Sequence, residues 1–170
     1  MSNNKKRNKS NKPNKQNKTI KAKVSDHFFL RDFTCKCGSC KNTVKVSLGL
    51  IGGLELLWSK VRRRINIAKG FSCAECAGSS RIRKNYHAFG IACDLYIPGI
   101  PLEKVFMLAE EVPEFTGIGL NFTDRYVHVD TRKDKERTLW VVQAGNHIDL
   151  TEENRKEYFE NISKEPEQVS

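Results

Sequence analysis

Residues 116–131, Thr-Gly-Ile-Gly-Leu-Asn-Phe-Thr-Asp-Arg-Tyr-Val-His-Val-Asp-Thr, read as two short strands folded back on one another. The turn falls at Thr123-Asp124, so the segment predicts a hairpin of Thr116–Phe122 with Arg125–Thr131. Upstream, a Pro-Gly turn leads into a predicted helix over Pro101–Val112, with proline at a permitted first-turn position. Two further strands are expected at Ile91–Ile97 and Ile65–Phe71, separated by a Gly/Ser/Cys-rich loop that runs to Tyr86. Leu50, Leu54, Leu57 and Val61 fall at helical spacing, widened by Ile51 and Trp58, and predict a helix over Ser47–Arg63 with Ser47 as its N-cap. Gly52 and Gly53 weaken that helix or mark a close packing contact. Downstream, Leu139–Gln143 reads as an edge strand and Thr151–Ile162 as a short charged helix. This order predicts an α+β domain, a small antiparallel sheet with flanking helices.

Composition sets the outer limits. The 170 residues suit one domain with tails. Of the 30 basic residues, nine lie in residues 1–23, where there is no acid, leaving 21 bases against 20 acids elsewhere. The net charge of +10 therefore belongs to a Lys/Asn-rich tail, expected to be disordered because it cannot bury enough to offset its ordering entropy. Such a tail can touch nucleic acid, anionic lipid or an acidic wall polymer by charge alone, or merely solubilise. The body is expected over residues 24–163, led in by an irregular segment pinned by Phe28, Phe29, Leu30 and Phe33, with residues 164–170 frayed. No apolar run approaches a membrane span, and the amino terminus shows no apolar stretch of a secretion signal.

Two of the four histidines keep unusual company. His87 opens His-Ala-Phe-Gly-Ile-Ala-Cys-Asp, ending at Asp94, and His128 lies two residues before Asp130. Zinc takes imidazole nitrogen and carboxylate oxygen, and a catalytic site leaves a fourth position for water. His87, Asp94 and His128 suit that arrangement, with Gly90 letting the chain turn closely between the first two. On a strand, His128 and Asp130 share a face, so Asp130 can orient the ligand, shuttle a proton or serve as a structural acid.

The cysteines form a second pattern. Cys35-x-Cys37-x-x-Cys40 and Cys73-x-x-Cys76 have thiolate-ligand spacing and together suit a second, structural zinc. Disulfides between the clusters and free thiols are the alternatives. Cys93 should face away from Asp94, into the core.

His87-x-x-Gly-x-Ala-x-Asp94, the Gly117-Ile-Gly119 segment and Val127-His-Val-Asp-x-Arg132, in that order, resemble the zinc peptidase family M15. Ser25-Asp26-His27-Phe28 and Asp32-Phe33-Thr34-Cys35 are similar to the leading segment of one M15 subgroup, so the likeness spans about residues 25–132. It implies the fold shared by D-Ala-D-Ala carboxypeptidases and hedgehog domains. It also implies one catalytic zinc on His87, Asp94 and His128, and hydrolysis of peptidoglycan stem or cross-bridge peptides. A monomer with no specific nucleic-acid partner is expected. Two positions depart from the family. Its substrate-engaging arginine is replaced by Ser72 in Lys69-Gly70-Phe71-Ser72, with Arg81 or Arg83 as substitutes. Where several branches carry an acid, three residues before the last ligand, this chain has Arg125. Asp130 is then the candidate base, with Asp124 a further candidate. The rivals are a non-catalytic zinc module for wall peptides or a protein partner and, last, a nucleic-acid binder combining the tail with a cysteine knuckle.

Overall fold

The computed structural model describes residues 22–77, 85–134 and 136–159. Helix α1 (Leu48–Val61) begins where the Ser47 hydroxyl accepts from the Leu50 amide, as predicted. It ends at Arg62, which adopts a left-handed conformation while its amide donates to the Trp58 carbonyl. Strand β1 (Asn66–Lys69) follows, then two single-turn helices absent from the sequence reading, α2 (Ala74–Ala77) and α3 (Tyr86–Phe89). Next come β2 (Ala92–Tyr96), α4 (Leu102–Glu110), β3 (Gly117–Asn121), β4 (Tyr126–Asp130), β5 (Thr138–Gln143), β6 (Asn146–Asp149) and α5 (Arg155–Phe159). Pro101 stands at the N-cap of α4 rather than inside its first turn.

The fold is α+β, but the sheet is mixed, not antiparallel. Its six strands run β1-β2-β4-β3-β5-β6, and β3 pairs with β5 in parallel. The cause is connection geometry. β2 already occupies the outer edge of β4, so the chain leaving Asp130 passes over the end of β3 and re-enters on its far side, placing Thr138 beside Gly117. Nor is β5 the edge. Ala144 and Gly145 both take positive φ, the two-residue turn that matches strand twist, and fold β6 back against it.

One sheet face carries the core. Cys93, Leu95, Val127, Val129, Ile118 and Leu120 are buried and cluster with Leu54 and Leu57 of α1 and Val105, Phe106 and Ala109 of α4. The C-terminal helix docks on the same body. Arg155 donates to both oxygens of Glu110, and Phe159 stacks on Phe106. His27 pairs with Glu55 at 2.6 Å and stacks on Trp58, pinning the leading segment to α1.

The paired glycines of α1 have opposite surroundings. A Cβ on Gly53 would stand 2.5 Å from the ring of Phe115, which is fully buried, whereas one on Gly52 would meet nothing. Alanine gains roughly 1 kcal/mol of helix propensity over glycine, while overpacking a core costs about 1–3 kcal/mol. Gly52→Ala is therefore expected to raise the urea midpoint and Gly53→Ala to lower it.

Candidate metal centre

The opposite sheet face carries the polar cluster, and strand register assembles it. Asp94 pairs with His128 across β2 and β4, His128 with Gly119 across β4 and β3, and Gly119 with Trp140 across β3 and β5. Directly paired residues share a face, so these four form one row. With no side chain on Gly119, the Trp140 indole lies over it, in space a Cβ would occupy, and reaches His128 at 5.4 Å between ring centroids. One row on, the Asp130 carboxylate and Arg132 guanidinium fill the space above Gly117 in the same manner.

His87 arrives from α3. Gly90, left-handed at φ 70°, closes that turn and starts β2, so ligands seven residues apart are returned to one point. His87 Nε2 lies 3.3 Å from Asp94 Oδ1, and His128 Nδ1 lies 2.7 Å from the same oxygen. One donor atom from each of the three lies within 4.8 Å of the other two.

Both imidazoles have their second nitrogen engaged. His87 Nδ1–H donates to the Gly70 carbonyl at 2.8 Å, leaving the Nε2 lone pair directed at the centre. His128 Nε2–H donates to Asp130 Oδ2 at 3.2 Å. Asp130 has no exposed surface and is gripped by Arg132, whose Nε lies 2.8 Å from Oδ1 and whose Nη2 lies 2.5 Å from Oδ2. Such outer partners set ligand orientation and tautomer in metal sites.

No family model, curated protein or solved structure matches this chain. What the centre can do follows from its own donors. Two imidazole nitrogens and a carboxylate oxygen, nearly closed off from water, are a donor set that can hold a metal ion and is compatible with zinc.

The charges reinforce one another. Burial opposes ionisation of Asp94, but hydrogen bonds from His128 and His87 overcome it and hold the carboxyl well below the usual range. Burial likewise opposes the charge on His128, yet Asp130 and Asp94 outweigh it and push the imidazolium up to about 9. For Asp130, Arg132 and His128 outweigh burial and bring it down to about 2. Without metal, His128 is thus protonated at neutral pH, and a metal at Nδ1 must displace that proton. Apparent affinity should rise about tenfold per pH unit up to pH 9 and then level off. Titration calorimetry in buffers of differing ionisation enthalpy, with His87→Ala as reference, should show about one proton released at pH 7.

The centre opens on a cavity of about 470 Å³ walled by Tyr86, Asn121, Tyr126, Arg132, Trp140 and His147, with His87 and His128 at its floor. Sequence reasoning missed Trp140, Arg132 and His147 as cavity residues. The Gly-Ile-Gly segment signalled a close approach over its strand but not which residues make it. Arg81 and Arg83 lie outside the described residues. Arg125 is left-handed in the β3–β4 turn, and Asp124 bonds Asn121 there.

Among the cysteines, Cys35, Cys37, Cys73 and Cys76 form a second group of the same kind, with one sulfur from each within 4.8 Å of the others. Cys40 is not in that group, and Cys93 is buried in the core. None of the six is disulfide-bonded.

Proposed function

We propose that this chain is a zinc-dependent peptidase of the M15 type, hydrolysing peptide bonds in peptidoglycan stem or cross-bridge peptides. The observation that carries the reading is the convergence of His87, Asp94 and His128, with the two histidines lining an open cavity and each histidine's other nitrogen engaged. The antiparallel β2-β4 pair that presents Asp94 and His128, with His87 brought in from α3, also supports the hedgehog/D-Ala-D-Ala-peptidase fold. Bound there, zinc would polarise a carbonyl and acidify water. The chain's own residues supply the rest. Asp130 fixes the His128 ring and takes part in proton transfer only through it, because no solvent reaches its carboxylate. His147, on the cavity wall and 3.1 Å from Asp149, is the exposed imidazole that can exchange a proton with bound substrate. Arg132 stacks on Tyr86 at 4.2 Å and brings a cation to the cavity, suited to a peptide carboxylate. The reading includes a monomer with no specific nucleic-acid partner. Among the described residues, no helix is long and apolar enough to cross a membrane.

One observation favours a second reading, a non-catalytic zinc module that binds wall peptides. Among the described residues lining the cavity there is no carboxylate to serve as a direct general base. Incubating the zinc-loaded full chain with peptides ending in D-Ala-D-Ala and with purified peptidoglycan fragments separates the two. Metal-dependent cleavage, lost on chelation and restored by zinc, supports the peptidase. Bound zinc with peptide binding and no cleavage supports the module.

A further inference from the structure

We propose that Cys35, Cys37, Cys73 and Cys76 form a tetrathiolate zinc centre that clamps the leading segment to the stretch between β1 and α3, and that this clamp positions His87. The first half stands on the cysteines alone. Cys35 Sγ lies 3.5 Å from Cys76 Sγ, and Cys37 Sγ lies 3.6 Å from Cys73 Sγ. A tetrahedron of Zn–S bonds near 2.3 Å has sulfur–sulfur edges of about 3.8 Å, so four thiols already stand close to the spacing the metal imposes. Two cysteines come from each segment, in the Cys-x-Cys and Cys-x-x-Cys spacings of thiolate sites. Cys35 and Cys73 are buried, and Cys37 and Cys76 lie toward solvent, an arrangement of a closed structural centre with an outer rim.

The surrounding chain is anchored at its far end, where Val44 and Val46 pack against the core, and is irregular toward the cysteines. Residues 34–46 contain no helix or strand, and Lys41 and Asn42 take consecutive left-handed conformations that non-glycine residues disfavour. Local backbone bonds hold this loop to itself, Cys35 amide to the Thr43 carbonyl and Thr43 amide to the Cys40 carbonyl. Its Lys36 ammonium reaches β1 carbonyls from an exposed position, a weak attachment.

The second half rests on His87 being a zinc ligand. Phe71 amide donates to the Phe33 carbonyl, and a Cβ on Gly70 would stand 2.5 Å from Phe33 Cα, so the two segments touch backbone to backbone beside the thiols. From that contact, Gly70 offers its carbonyl to His87 Nδ1, and the Ser72 amide, adjacent to Cys73, donates to the His87 carbonyl at 3.3 Å. A metal on Cys73 therefore holds the strip that aims the His87 ring.

The test uses the full chain prepared with zinc under reducing conditions. Wild type should carry two zinc ions and His87→Ala one. Cobalt in His87→Ala should show the intense thiolate-to-cobalt charge-transfer absorption of a tetrathiolate, which Cys40→Ser leaves unchanged and Cys37→Ser removes. In case Cys37→Ser does not fold, alkylation of wild type followed by mass analysis gives an independent reading. Zinc should shield Cys35, Cys37, Cys73 and Cys76 and leave Cys40 reactive. A tetrathiolate is overturned by equal labelling with and without zinc, by the mass deficit of disulfides, or by shielding of Cys40. For the coupling, Cys76→Ser should weaken zinc at the histidine centre by about tenfold or more, the scale set by outer-shell partners. An unchanged affinity overturns the coupling while leaving the thiolate centre standing. Failure of zinc to bind the histidine centre in wild type refutes the peptidase reading instead, and does not touch the thiols.

Discussion

Asp94→Ala is expected to remove one zinc ion per chain and abolish peptide hydrolysis while the four-thiol group keeps its metal. A single oxygen, Asp94 Oδ1, lies within 3.3 Å of His87 Nε2 and 2.7 Å of His128 Nδ1, so all three donors converge through this residue. Its side chain is almost entirely buried, and alanine removes the one carboxylate of the three-donor group. The metal-free protein should suffer as well. Removing one partner of a buried charge pair costs about 3–5 kcal/mol because the other is left uncompensated, and here His128 would lose one of the two carboxylates that hold its charge. Elemental analysis and urea denaturation after chelation check both effects. Retention of two zinc ions by a folded Asp94→Ala protein would sink the assignment of the centre.

The second large effect is expected at Asp130, and it separates two roles. Asp130→Asn should weaken zinc binding at the histidine centre by about 10–100-fold and destabilise the fold by several kcal/mol, on the order of 3–5. An amide has one accepting oxygen, whereas the carboxylate satisfies His128 Nε2–H and two guanidinium nitrogens of Arg132. The amide NH2 would face one of these donors with nothing to accept. Assayed at saturating zinc, an orienting residue leaves kcat near wild type once metal is restored. A residue that carries the proton through His128 lowers kcat by roughly 10²–10⁴ under the same conditions. Because the carboxylate is wholly buried, the affinity loss precedes any chemical effect, and measuring metal occupancy alongside rate keeps the two apart.

Much of the scaffold was legible because its signals are local. The Ser47 hydroxyl and the apolar stripe from Leu50 to Leu57 lie within one helix and behave as read, while the helix stops at Val61, two residues short of the expected Arg63. Strands β1 to β4 fall within the predicted segments because each is bounded by turn residues and carries its own apolar run. The pairing of Gly53 with the Phe115 ring was half legible, since a glycine inside a helix announces a close approach but not its partner.

The sequence by itself determined the α+β class, the main helices and hairpin, and the short set of residues able to hold a metal, because propensity, capping and donor chemistry are properties of the chain. Only the tertiary structure decided that the sheet is mixed, that β6 lies outside β5, and that Trp140, Arg132 and His147 wall the same cavity as His87 and His128. It also decided which four cysteines converge, with Cys40 not among them. The physical reason is common to all of these. Each depends on which strand edge was already occupied and which backbone could approach which, at the side-chain-free surfaces of Gly117, Gly119 and Gly70, and such long-range contacts have no signature in spacing along the chain.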